Sequence, residues 1–74
     1  MPERDKREKF QQLAEKRVNR AIKDLRLIGN LSNRKNYSFD DEDVRKIMKA
    51  LDTEMKTLKA RFAQARSSDN EFKL

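Results

Sequence analysis

Phe39-Asp40-Asp41-Glu42-Asp43-Val44 opens a stretch, residues 39–65, that reads FDDEDVRKIMKALDTEMKTLKARFAQA. Its apolar residues fall at Val44, Met48, Leu51, Met55, Leu58, Phe62 and Ala65, with Ile47 beside them, in steps that alternate four and three. A strand would repeat every second residue, whereas this 3.5-residue period is the seam of a coiled coil or helical bundle. The start is equally well marked. With Asp40 as N-cap, Asp43 sits at N3, Phe39 at N′ and Val44 at N4, which sets up a hydrophobic staple and fills the first turn with acids. Asp41 before Arg45, Glu42 before Lys46 and Asp52 before Lys56 repeat the acid-first spacing that supports an exposed helix. The pattern stops after Arg66, so a helix is expected over about 41–66 and a frayed tail over 67–74.

Upstream, Phe10, Ala14, Val18, Ala21, Leu25 and Ile28 form a second helical stripe. Pro2 suits an N1 position, and Glu3 before Arg7 and Asp5 before Lys9 again place acid ahead of base. Gly29, the single glycine of the chain, stands where a left-handed C′ residue would end this helix, which is expected over about 3–28. Residues 29–39 hold three Asn and two Ser without a period and read as a loop. The expected fold is therefore all-α: one domain over 1–74, an antiparallel two-helix hairpin, each helix ~39 Å long at 1.5 Å per residue.

Composition explains why such a hairpin would need company. The chain has 74 residues, 43% of them charged and 35% hydrophobic. A single core of this size rarely supplies more than about 3–5 kcal/mol, and no disulfide is available to help. The apolar residues of the second helix occupy an arc of roughly 100°, enough for one neighbour. Those of the first spread wider, because Leu13, Ile22, Leu27 and Leu31 flank the main stripe. A homodimer forming a C2 four-helix bundle is expected, with Phe10, Leu13, Arg17, Ala21, Leu27 and Leu31 at the interface and Arg17 as an interfacial ion-pair residue. The alternative is a monomer whose loop folds back over Leu27 and Leu31 with Tyr37 or Phe39 as lid.

The same composition removes most small-domain chemistry. No His and no Cys means no imidazole relay, thiol nucleophile, zinc site or disulfide framework. Asp40-Asp41-Glu42-Asp43 lacks the spacing of a calcium loop, and helix capping accounts for it. No catalytic residue, metal or cofactor is expected, and the protein is read as a non-enzyme. No apolar run has the length of a signal peptide or a membrane span, so no membrane association is expected and the location expected is cytoplasmic. Asn30-Leu31-Ser32 and Asn36-Tyr37-Ser38 fit a glycosylation acceptor by chance.

What remains is charge. Nineteen basic residues against 13 acidic ones leave a net +6. Residues 1–28 carry 9 basic and 5 acidic residues, and the loop adds 2 basic ones. In the middle of the first helix Lys16, Arg17, Arg20, Lys23 and Arg26 have no acid four positions before them. Lys16, Arg20 and Lys23 share one face, with Arg26 at its edge. A row of cations continued by Arg34, Lys35 and Tyr37 can bind phosphates through charge and bases through amides or stacking. The bland reading is a solvated basic face that maintains solubility. The function expected is backbone-dominated binding of DNA or RNA through the first helix and the loop; the alternative is an adaptor or inhibitor that docks an acidic protein partner. The expected architecture resembles the small dimeric helical hairpins that bind RNA in plasmid copy control, a likeness of fold from which no residue role is taken.

Overall fold

A computed structural model of the chain describes residues 3–69, with the side chains of residues 3–65. Among the described residues all regular structure is helical: α1 spans Glu3–Gly29, a 3₁₀ turn covers Asn30–Ser32, and α2 spans Asp41–Asp69. The chain divides between Ser38 and Phe39 into two units, each built around one long helix.

The first unit consists of α1, the 3₁₀ turn and the segment up to Ser38. α1 carries Glu3 and Asp5 in its first turn and Arg26 in its last, the order that offsets the helix dipole. Pro2, expected at N1, lies outside the described residues. The helix does not end as glycine chemistry suggests. Gly29 has φ −59° and ψ −31°, a right-handed helical conformation, and no described residue has positive φ. Instead of reversing at a left-handed residue, the backbone tightens into the 3₁₀ turn, whose i→i+3 bonds take up terminal carbonyls. The direction changes at Asn33, where the backbone becomes extended at φ −75° and ψ 100°.

The second unit begins at Phe39 and is essentially α2. Its start is the reciprocal cap expected from the aspartates. The Asp43 N–H donates to Asp40 Oδ1 at 2.8 Å, and the Asp40 N–H donates to Asp43 Oδ2 at 3.0 Å. Two N–H groups that a helix start leaves without intrahelical partners are thus satisfied by two carboxylates. The Val44 N–H donates to the Asp40 carbonyl at 3.2 Å, and Phe39, at N′, is half-buried. At the other end the helix runs through Ser67 and Ser68 to Asp69, three residues into the stretch expected to fray. Loss of the apolar period removes a packing face but no backbone bond, and serine costs a growing helix only a few tenths of a kcal/mol, so propagation continues. The rest of the expected tail, 70–74, lies outside the described residues.

Neither unit has an interior. No described side chain is buried, and only Leu13, Ala14, Phe39 and Leu51 are half-buried. Side chains on one helix project radially, so a helix cannot enclose its own stripe. Val18 keeps 55% and Phe62 57% of their accessible surface.

Candidate functional site

Helical continuity from Glu3 to Gly29 fixes which basic residues share a face. At ~100° per residue, Lys16, Arg20 and Lys23 lie within about 60° of one another. All are exposed, and among the described residues none finds an ion-pair partner within 4 Å; the same holds for Arg17 and Arg26. Lys16 and Lys23 are seven residues apart, which places their Cα atoms ~10 Å apart along the axis, and Arg26 extends the basic stretch to ~15 Å.

Further residues fall on this face, Asp5 among them, and two bear on its chemistry. Lys9 lies seven residues before Lys16 and therefore shares its direction. The acid-first spacing assigns Lys9 to Asp5, but that pair is not closed. Glu3 with Arg7, Asp41 with Arg45, Glu42 with Lys46 and Asp52 with Lys56 are not closed either. Ion pairs within 4 Å do form between Arg4 Nε and Glu8 Oε1 at 3.8 Å and between Arg45 Nη1 and Glu42 Oε2 at 3.0 Å. Exposed pairs of this kind gain only a few tenths of a kcal/mol, so sequence spacing permits them without enforcing them.

The other residue is Leu27. The steps from Lys16 to Arg20, Lys23 and Leu27 are four, three and four, so Leu27 continues the basic row. It stands roughly 120° from Ala21, and 55% of its surface is exposed. The residues expected at a dimer interface therefore separate by direction: Phe10, Arg17 and Ala21 cluster, Leu13 lies between them and the basic face, and Leu27 lies on that face. Leu31 belongs to the 3₁₀ turn. Phe10 also lines a shallow open depression on α1 together with Arg7, Gln11, Ala14 and Glu15.

After the 3₁₀ turn, Asn33 organises the loop. Its side-chain Oδ1 accepts from the Lys35 N–H at 3.0 Å, and its carbonyl accepts from the N–H groups of Asn36 at 3.1 Å and Tyr37 at 3.0 Å. Three bonds to one residue shape residues 33–37 into a fixed corner that carries Arg34 and Lys35, with Tyr37 at its exit. Tyr37 keeps 49% of its surface exposed. Asparagine suits this role because its short side chain reproduces a backbone acceptor. Reading Asn33 as one of three loop asparagines gives no way to single it out; the bonds do.

In the acidic run at the start of α2, Asp40 and Asp43 are committed to the cap. Among the described residues, no three acidic side chains are grouped so as to hold a metal ion, and no helix is long and apolar enough to cross a membrane. Comparison with family models, curated proteins and solved structures found no match.

Proposed function

We propose that the protein is a non-enzymatic module that binds the backbone of DNA or RNA through the basic face of α1 and the Asn33 corner. The observation that carries this reading is the row Lys9, Lys16, Arg20 and Lys23: four exposed cations on one helix face without an ion pair within 4 Å. Cations that close no ion pair keep their positive potential for an outside anion, and a row of them on one face adds those potentials together. Arg26 extends the charge to the last turn of α1 and Arg34 and Lys35 carry it beyond the helix, and Tyr37 offers a ring on which a base can stack. The contacts expected are to phosphates, which give affinity without strong sequence preference.

A dimer is part of the same proposal. Two hairpins joined as a C2 four-helix bundle through Phe10, Leu13, Arg17 and Ala21 of α1, with Leu27 and Leu31 nearby, would present two basic rows on one molecule. A cytoplasmic location is part of the same proposal.

One observation favours a second reading. Leu27 is exposed at the C-terminal end of the cationic row, and an apolar group beside charge is a feature of protein docking sites. On that reading the partner is an acidic protein that the chain serves as adaptor or inhibitor.

Fluorescence anisotropy with labelled duplex and single-stranded oligonucleotides separates the two. Nucleic-acid binding should weaken steeply with salt, with a log–log slope of about −3 for a few neutralised phosphates. Replacing Lys16, Arg20 and Lys23 by Gln should reduce the slope by about 2.7 for a duplex, whereas Leu27→Ala should leave it unchanged. Absence of any complex at 50 mM salt with micromolar protein would refute the nucleic-acid reading and leave the protein-docking one.

A further inference from the structure

We propose that α2 pairs with α2 of a second copy, antiparallel and in one register, so that the second copy rather than α1 of the same chain covers the α2 stripe, in place of the bundle above; the pairing does not depend on nucleic acid. Along α2, Met48, Met55 and Phe62 occupy the a positions of a seven-residue repeat, and Val44, Leu51, Leu58 and Ala65 the d positions. Most of this seam is exposed and only Leu51 is half-buried. The flanking positions hold Ile47, Glu54 and Arg61 on one edge and Arg45, Asp52 and Lys59 on the other, with Arg45 paired to Glu42 of its own helix. Among the described residues Glu54, Arg61, Asp52 and Lys59 close no ion pair within 4 Å.

On each edge an acid is followed, one heptad later, by a base. In an antiparallel pair each edge meets its own counterpart, so a helix with this order matches itself when reversed. Let the two-fold axis pass between Lys56 and Thr57. Met55 is then level with the partner's Leu58, Leu51 with the partner's Phe62, and Met48 with the partner's Ala65, a continuous run of apolar layers. In the same register Glu54 faces the partner's Arg61, and Asp52 faces the partner's Lys59. Symmetry repeats each pair.

The charges also reject the neighbouring registers. A slide of one heptad in one direction sets Glu54 and Asp52 against their own copies; a slide in the other direction does so for Arg61 and Lys59. A parallel pair keeps only Glu54 against the partner's Lys59 and stacks each apolar residue on its own copy. Flanking charges are the device by which coiled coils select partner and orientation. Here they select a second copy, reversed.

Sedimentation equilibrium on the full chain, without nucleic acid, tests the proposal. Wild type should dimerise at micromolar concentrations. Glu54→Arg and Arg61→Glu should each raise the dimer Kd roughly tenfold, because two opposed pairs become like charges. Combining them on one chain, Glu54→Arg with Arg61→Glu, should restore wild-type affinity, and an equimolar mixture of the two single variants should form a heterodimer. Circular dichroism on the same samples should show helicity following dimerisation. A monomeric wild type, a double variant as weak as the singles, or single variants that do not combine would each overturn the pairing; the first would mean that some other surface covers the stripe.

Discussion

Gly29 separates two accounts of how α1 ends, because alanine there should act in opposite directions under each. If the glycine ended the helix in the left-handed region, a Cβ would strain it by about 1–2 kcal/mol. The residue instead sits at φ −59° and ψ −31°, and a Cβ built there meets no atom within 4 Å. Alanine then adds no strain and no clash, removes backbone freedom from the unfolded chain and improves helix propensity. Those effects reach about 1 kcal/mol in a helix interior, and about 0.5–1 kcal/mol is expected at this last helical residue. Gly29→Ala should therefore raise far-UV helical signal and thermal midpoint, and slow amide exchange around residues 28–32. Gly29→Asn supplies the ordering. A right-handed site ranks Ala above Asn with Gly last, while a left-handed site ranks Gly first, Asn next and Ala last. A lower midpoint for the alanine variant, with asparagine between it and wild type, would refute the conformation assigned to Gly29 and the 3₁₀ exit that depends on it.

Three other outcomes follow from particular bonds. Asp40→Ala should cost about 1 kcal/mol in urea melts, Asp43→Ala less, and the double variant less than their sum, since each carboxylate serves the other's N–H. Asn33→Ala should release the Lys35 amide, read as faster hydrogen exchange, and cost about 1 kcal/mol locally; Asn33→Asp keeps the acceptor and should leave that amide protected. Lys9→Gln should reduce the salt slope of oligonucleotide binding by about 0.9 for a duplex, because Lys9 lies on the phosphate-facing row, whereas Lys49→Gln on α2 should leave it unchanged.

Much of the architecture could be read from residue order, for a local reason. A stripe at steps of four and three describes a helix whatever surrounds it, and an aspartate three residues before another can close a cap without help from distant chain. α1, α2 and the Asp40–Asp43 cap are legible on those grounds. So is the face shared by Lys16, Arg20 and Lys23, since angular position in a helix is arithmetic.

The features that residue order left open are those in which several local solutions have nearly equal energy. Gly29 can end a helix or continue it, and only the backbone angles show that it continues. Pairs within a turn lie within reach but gain so little that the base-first Arg4–Glu8 and the i,i+3 pair Glu42–Arg45 close while the acid-first Asp5–Lys9 does not, which leaves Lys9 on the basic row. Leu27 joins that row because α1 runs unbroken to Gly29; a break near Leu25 would have turned it elsewhere.

Residue order alone thus determined two long helices, one charged and polar loop, and two apolar stripes too exposed for a single helix to hide. The three-dimensional structure decided how α1 gives way to a 3₁₀ turn, which asparagine shapes the loop, and which cations stay without an ion pair. The division has one physical origin. Periodicity and capping depend on neighbours within a turn of helix and are written in the chain, whereas the choice among near-equal backbone and side-chain states appears only when all of them are placed in space together.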